Sequence, residues 1–314
     1  MGVSTSKGAS LVSFICNICG RHNHVENFET EPASCACGSN VRLRALIHLL
    51  SVELFGQSLV LTDFPRLKAI RGLGMTDQQC YASILAEKFD YTNTYYDREP
   101  RFDFTESHEQ LAGSYDFILS ADVLEHIAPP IERALEETHR LLKPSGFFGV
   151  TIFCSPDDRM SEHFPGLHEY RVLKLGDAVV LVNRRRDGVV EIREDLIFHG
   201  GSGETLEMRE FGISGLEGKL LEAGFRQVKF LTDNIAEIGV LFDRHVSQPL
   251  IARKESFVLA PAARSQLIDQ WQAALEEARK ERERADGLAS QIRMAADSRW
   301  LRLGRTLGAG PKFD

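Results

Sequence analysis

Four cysteines near the amino terminus have the residue type and the spacing that bind zinc. The first pair has C-x2-C spacing, the second has C-x-C spacing, and fifteen residues separate the pairs: Cys16, Cys19, Cys35 and Cys37. Zn²⁺ prefers four soft ligands in a tetrahedron, and two short cysteine turns supply them without a large core. The first residues do not resemble a secretory signal, which favours metal ligation over disulfides. We predict a structural zinc ribbon over residues 11–40; ordinary reduced cysteines, or a ligand from His22 or His24, stay open as alternatives.

Histidines in the second half of the chain are candidates for acid–base chemistry, because an imidazole exchanges protons near neutral pH. His126 follows the apolar stretch FILSADVL, His163 and His168 lie in SEHFPGLHEYR, and His199 precedes GGSGE. A lone histidine is more often a structural hydrogen-bonding residue than a base. Two histidine-bearing loops in one region nevertheless favour a substrate site there. We select His168, His199 and His126 as catalytic candidates. A weaker alternative to acid–base chemistry is a metal site formed by Glu162, His163, His168 and Glu169. The spacing of these four residues matches no known ligand motif.

The elements that position these residues are clearest over residues 114–153. Phe117–Leu119 is the apolar centre of a short strand, and Pro129 and Pro130 suit the first turn of the helix that follows. That helix ends at Pro144–Gly146, and residues 147–153 have the composition of a buried strand. A strand, a helix and a strand at this spacing predict a right-handed parallel βαβ unit.

This stretch resembles the class I methyltransferases, through YDFILSADVLEH followed by a helix and LLKPSG. The resemblance extends over roughly residues 58–255 and implies a Rossmann-like α/β fold, with a mostly parallel sheet closed by an antiparallel strand. It implies S-adenosyl-L-methionine as cofactor. It also implies that residues 121–124 end the fourth strand beside that cofactor. Downstream, ISGLEGKLLEAGF, RQVKFLTD and QPLIARK resemble the last helix and the closing strand pair.

The cofactor contacts follow from the same resemblance. The glycine loop after the first strand is best matched by AIRGLGMTD, with Gly72 and Gly74, but it lacks the acidic residue and the last glycine of the family pattern. A second register, with the first strand at residues 58–63 and Asp63 at its end, stays open. The remaining expected contacts are Asp97 at the ribose, Asp103 at the adenine amino group, Phe104 in the base pocket, and Ala121.

The chain divides by composition into several segments. We predict the zinc ribbon, a docking helix over residues 41–57, and a methyltransferase domain over 58–258 with an acceptor-side insertion at about 154–206. A polar helix and tail follow over 262–314. Its thin apolar stripe suits a weak coiled coil, and its basic amphipathic end suits either the inner face of a membrane or a protein partner. The alternative is a solvated tail.

Composition narrows the function. The net charge of −8 disfavours a nucleic-acid partner, and no run is long and apolar enough for a membrane helix. We expect a cytoplasmic enzyme that methylates a small-molecule or saccharide acceptor, at oxygen, in sugar or cell-surface polysaccharide metabolism. The saccharide part rests on a similar chain end in methyltransferases associated with glycosyltransferases. An RNA methyltransferase aided by the zinc module, and a degenerate methyltransferase fold that only binds partners, are the alternatives.

Overall fold

The computed structural model describes residues 11–26, 28–29, 33–155, 158–199, 205–242 and 248–297. Residues up to Ala260 form one compact unit and residues from Pro261 a second. The helices are α1 (Val41–Phe55), α2 (Gln79–Lys88), α3 (Ile131–Leu141), α4 (Ile213–Glu222) and α5 (Pro261–Asp297). The strands are β1 (Leu11–Ile15), β2 (His22–Glu26), β3 (Leu67–Met75), β4 (Phe89–Thr94), β5 (Tyr115–Ala121), β6 (Leu142–Ile152), β7 (Cys154–Ser155), β8 (Ser161–Glu162), β9 (Glu169–Leu175), β10 (Ala178–Arg184), β11 (Val190–Arg193), β12 (Phe198–His199), β13 (Thr205–Leu206), β14 (Arg209–Gly212), β15 (Gln227–Phe230) and β16 (Gln248–Arg253).

A six-stranded sheet in the order β15-β16-β6-β5-β3-β4 organises the first unit. The four strands from β6 to β4 are parallel, whereas β16 runs antiparallel to both β6 and β15. The sheet is therefore the predicted Rossmann-like methyltransferase sheet with its closing antiparallel strand. The predicted βαβ unit and last helix are also confirmed, as β5-α3-β6 and α4.

Both faces of the sheet are covered, which explains why β5 is buried along nearly its whole length instead of at alternate residues. Ile118 and Phe148 belong to the large apolar core that includes side chains of α3 and α4. On the other face, Gly149 lies against Leu46 of α1 and Leu119, where an added Cβ would lie 3.3 and 2.9 Å from their methyl groups. Helix α1 begins at an Asn40 cap, whose Oδ1 accepts from the Leu43 N–H at 3.1 Å.

The structure corrects three expectations about these elements. The first strand of the sheet is Leu67–Met75, so the register that placed it at residues 58–63 is wrong; Leu61–Asp63 is one turn of 3₁₀ helix. Pro144–Gly146 lies within β6, because the helix already ends at Leu141. Among the described residues, the strand that ends at Ala121 is the third strand of the sheet along the chain and not the fourth, because no strand of this sheet lies between β4 and β5.

The segment between β6 and α4 is a small β structure of its own. Strands β9, β10 and β11 form an antiparallel sheet, and β14 pairs with both β7 and β8. Side chains from several of its loops and strands form a separate small core: Phe164, Leu181, Leu206 and Met208. The glycines Gly200, Gly201 and Gly203 lie outside the described residues.

Helix α5 is the described part of the second unit. Several of its large apolar side chains are exposed: Ile268, Trp271, Leu275, Leu288 and Ile292. The basic amphipathic end of the chain, residues 298–314, lies outside the described residues. Over the described parts of the chain, no helix combines the length and apolar character needed to cross a bilayer.

Candidate functional site

The four amino-terminal cysteines come together in the structure. The Sγ atoms of Cys16 and Cys37 are 3.8 Å apart, those of Cys19 and Cys35 are 3.6 Å apart, and the four lie within 4.8 Å of one another. Thiolates bound to one Zn²⁺ at about 2.3 Å lie roughly 3.8 Å from each other, so the cluster fits a tetrahedral ion. Gly20 and Gly38 follow the two pairs with φ of 75° and 91°, and these turns direct the cysteines inward.

Arg44 lies directly beside this cluster and is fully buried, which the sequence did not indicate. Its guanidinium donates to the Ser39 carbonyl at 3.1 Å and to the Gly239 carbonyl at 2.8 Å, and it packs over the Phe14 ring. A buried cation is costly unless it is paired, and a tetrathiolate zinc site carries net negative charge that offsets it.

The carboxyl ends of the parallel strands lie at one edge of the sheet, where open α/β sheets bind ligands. Met75 pairs with Thr94 and with Ser120, which places the ends of β3, β4 and β5 level. The next residue after β3, Thr76, has φ of 56°, and the next after β5, Asp122, has φ of 53°. Non-glycine residues in this left-handed region are uncommon and occur disproportionately at functional sites.

This edge also holds polar side chains suited to a bound ligand. Among the described residues, the buried hydroxyls of Ser120 and Thr151 have no hydrogen-bond partner. Asp77 is buried under β3 and accepts from the Tyr91 hydroxyl, while its backbone N–H donates to Asn93 Oδ1 at 2.8 Å. Burial raises the pKa of Asp77 to about 7. The edge therefore fits a polar cofactor such as S-adenosylmethionine, which needs hydrogen-bonding groups at these strand ends.

Gly72 and Gly74 do not form a loop, contrary to expectation, because both lie within β3. An added Cβ on Gly72 would lie 2.3 Å from the Phe117 ring, and one on Gly74 would lie 2.1 Å from the Tyr91 hydroxyl. Glycine is required at both positions because the protein's own side chains fill the space beside the strand.

The other expected cofactor residues are placed as follows. Asp97 is exposed and lies three residues beyond the end of β4, so it does not close that strand as expected. Asp103 Oδ1 accepts from the backbone N–H and the hydroxyl of Thr105, at 2.9 and 2.7 Å, and Phe104 is part of the large core. Ala121 ends β5 at the ligand edge, as expected.

Three of the four histidines singled out in the sequence converge beside the end of β5. Nε2 of His126 and Nδ1 of His199 are 3.2 Å apart. The Glu207 carboxylate accepts from His199 Nε2 and from His163 Nε2, both at 2.7 Å, and His126 Nδ1 lies 2.9 Å from the Leu206 carbonyl. We call His126, His163, His199 and Glu207 the histidine cluster. Glu207 completes it from the insertion, and no local motif in the sequence marked that residue.

Two buried ionisable groups border the histidine cluster. Glu125 is 4% exposed, and its Oε2 has no hydrogen-bond partner among the described residues. Burial, with a smaller contribution from the Asp122 carboxylate, raises the pKa of Glu125 to about 8, and burial lowers the pKa of His126. Arg209 is fully buried and donates to Glu162 and to the Leu124 carbonyl, both at 2.7 Å.

His168 differs from the other three histidines. It is exposed, and its backbone N–H donates to Asn183 Oδ1 at 2.9 Å, whereas its imidazole takes no part in the hydrogen bonds of the histidine cluster. His163 also borders an open cleft of about 420 Å³ on the insertion, whose rim carries the charged residues Arg193, Glu194 and Asp195. Phe164, Leu196 and Ile197 also line this cleft, so its surface is mixed polar and apolar.

A family described as a methyltransferase domain matches residues 58–180. The curated proteins give no match.

Among solved structures, the CMeT domain of the citrinin polyketide synthase is 14% identical, with a TM-score of 0.40, over 71% of this chain and 55% of that one. A methyltransferase from Listeria monocytogenes, described as S-adenosylmethionine dependent, is 13% identical with a TM-score of 0.42, over 68% of this chain and 99% of that one. The sugar N-methyltransferase KedS8 from Streptoalloteichus is 12% identical with a TM-score of 0.38, over 69% and 88%.

The family match covers β3, β4, β5 and β6, the strands whose order and direction form the ligand edge. Residues 58–180 are thus similar to a methyltransferase-domain family over the strands that form the ligand edge.

Proposed function

We propose that the enzyme methylates a hydroxyl group of a small-molecule or saccharide acceptor, and that the acceptor binds between the ligand edge of the sheet and the insertion. The observation that carries this proposal is the histidine cluster, which follows β5 directly and is completed by residues of the insertion. A hydroxyl acceptor must lose its proton when the methyl group arrives. Histidine nitrogens with a lone pair at this place suit such an acceptor, because they take up that proton.

S-adenosylmethionine supplies the methyl group on a sulfonium that is already a good leaving group, so the protein mainly aligns the acceptor and excludes water. We assign the cofactor to the strand ends at Thr76, Thr94 and Ala121. Asp97, Asp103 and Phe104 remain proposed contacts for the ribose and the adenine. His126 and His199 face the acceptor hydroxyl, and the exposed His168 is the weakest of the three catalytic candidates.

The charged residues of the cleft beside His163 support a hydrophilic acceptor. Arg193 and Asp195, which pair with each other at 2.8 Å, would exchange that contact for hydroxyl groups of the acceptor. We further propose a structural role for zinc, because the cysteine cluster lies at the start of α1 and α1 packs on the sheet.

The test is turnover of S-adenosylmethionine by the zinc-loaded full chain against a panel of free sugars, sugar nucleotides and oligosaccharides. Formation of S-adenosylhomocysteine identifies an acceptor, and NMR of the product identifies the methylated atom. We expect the product to be methylated at oxygen. His199→Ala should lower the rate of this methylation at least tenfold, whereas His168→Ala should leave the rate within about twofold of the wild type. A product methylated at nitrogen or carbon would contradict the proposal.

A further inference from the structure

The hydrogen bonds around His126 and His199 determine which ring nitrogens carry hydrogen. A backbone carbonyl only accepts, so His126 Nδ1 donates to the Leu206 carbonyl at 2.9 Å and its Nε2 keeps a lone pair. A carboxylate also accepts, so His199 Nε2 donates to Glu207 at 2.7 Å and its Nδ1 keeps a lone pair. The two lone pairs therefore belong to the nitrogens that face each other.

Those two nitrogens are 3.2 Å apart, a distance at which two lone pairs repel unless a positive species lies between them. Imidazole nitrogens that bind one transition-metal ion at about 2.0–2.1 Å lie roughly 3.0–3.5 Å from each other. The distance between His126 Nε2 and His199 Nδ1 thus already equals the distance between two ligands of one metal ion. The outer hydrogen bonds, one to a carbonyl and one to a carboxylate, are the arrangement that orients histidine ligands in metal sites.

Glu125 supplies a third ligand. Its carboxylate lies on the same side as the two nitrogens, with Oε1 3.9 Å from His126 Nε2, and one ligand atom from each of the three residues lies within 4.8 Å of the others. Its Oε2 is buried and has no hydrogen-bond partner among the described residues. A buried carboxylate oxygen without a partner is costly, and an ion would satisfy it.

The charges of the surroundings favour a cation as well. Asp122 pairs with Arg42, and Glu162 pairs with Arg209, so each of these carboxylates has an arginine beside it. By contrast, the contacts shown for Glu125 and Glu207 are with histidines. Among the described residues, neither of these two glutamates forms an ion pair with lysine or arginine, so both would offset the charge of a bound cation.

We propose that Glu125, His126 and His199 form a binding site for a divalent transition-metal ion, separate from the cysteine cluster. Two imidazoles and one carboxylate suit Zn²⁺, Fe²⁺, Mn²⁺ or Co²⁺ and leave positions open for other ligands. The metal site itself does not depend on the proposed function. The catalytic role of the ion does depend on it: the imidazoles would then act as ligands instead of as bases, the acceptor oxygen would be a further ligand with its pKa lowered by the ion, and the hydroxyl proton would leave to solvent.

The experiment titrates Co²⁺ into purified full-length protein whose cysteine site holds zinc, followed by calorimetry and visible absorption. We expect one Co²⁺ per chain, with d–d bands but without the near-ultraviolet thiolate-to-cobalt charge-transfer band. His199→Ala and Glu125→Gln weaken binding at least tenfold. Glu207→Gln, which removes only the outer carboxylate, weakens it about 10- to 100-fold. His168→Ala, on the same insertion, serves as the matched control and binds Co²⁺ like the wild type.

His199 is partly exposed and lies on a two-residue strand, so its replacement disturbs the core little, and an unchanged zinc content verifies that each variant is folded. The proposal is overturned if no Co²⁺ binds, or if binding is unaffected by His199→Ala. Turnover with and without a chelator separates the two proposals. Wild-type protein that transfers methyl groups but binds no Co²⁺ would reject the metal site alone, whereas wild-type protein that binds the ion but transfers no methyl group would reject the proposed function.

Discussion

Arg42, in the first turn of α1, forms an ion pair with Asp122, the left-handed residue that directly follows β5. Both side chains are about four-fifths buried, at 24% and 19% exposure. Asp122 lies between Ala121 at the ligand edge and Glu125 beside the histidine cluster. The helix that follows the cysteine cluster is thereby joined to the backbone turn at the candidate cofactor site.

Replacing this arginine should affect the cofactor site more than the fold. We expect Arg42→Met to lower the free energy of unfolding by about 1–3 kcal/mol, because a charged hydrogen bond is lost. The Kd for S-adenosylhomocysteine should rise roughly tenfold, about 1.4 kcal/mol, as the turn at Asp122 relaxes. Calorimetry measures the affinity. Arg226→Met, which removes an exposed arginine paired with Glu255, should change neither quantity.

Removing one cysteine of the cluster should destabilise the whole first unit. Without zinc the buried Arg44 loses the negative charge beside it, so we expect Cys19→Ser to bind no zinc at this site and to unfold at least 10 °C lower. Zinc content by mass spectrometry and thermal unfolding provide the measurements. Cys80→Ser, a cysteine outside the cluster, is the matched control and should keep the zinc and the unfolding temperature.

The buried Asp77 predicts a pH-dependent stability. Its pKa of about 7 in the folded protein lies above its ordinary value of 3.8, so the folded state holds its proton over a range where the unfolded chain releases it. The free energy of unfolding of the wild type should therefore fall, relative to Asp77→Asn, as the pH rises from 5.5 to 7. The slope should not exceed about 1.4 kcal/mol per pH unit. Denaturant unfolding of both proteins measures this difference, and a difference that does not change with pH would contradict the assignment.

Gly74 and Gly218 make a matched pair of glycine substitutions. A Cβ on Gly74 would lie 2.1 Å from the Tyr91 hydroxyl, whereas one on Gly218 in α4 would meet nothing within 4 Å. We expect Gly74→Ala to destabilise the protein by about 2–4 kcal/mol through overpacking, and Gly218→Ala to stabilise it by roughly 0.5–1 kcal/mol through helix propensity. Equal effects of the two changes on unfolding would show that the packing around β3 is not tight.

Local patterns were sufficient for part of this structure. The spacing of the cysteines predicted a cluster, and the apolar runs around Ile118 and Phe148 predicted β5-α3-β6 with its parallel direction. These features depend on neighbours in the chain, where periodicity and turn residues are informative. The first strand was ambiguous, because Gly72 and Gly74 are typical of a loop and their packing against Tyr91 and Phe117 is visible only in three dimensions.

The candidate site was predicted less completely, because its contacts join distant residues. His126 meets His199 across 73 positions, and Arg44 donates to a carbonyl 195 positions away. The sequence identified the histidines as candidates for acid–base chemistry. It did not indicate which of them lie close together in the fold. Nothing in the local pattern distinguished His168 from His199, and Glu207 carried no motif at all.

Binding of S-adenosylhomocysteine to the zinc-loaded full chain tests the central claim most directly, since it requires no knowledge of the acceptor. Isothermal calorimetry should show one site per chain, with an affinity that Arg42→Met weakens and Arg226→Met does not. A folded protein with its zinc in place that gives no binding at millimolar ligand would contradict a cofactor site at the ends of β3, β4 and β5.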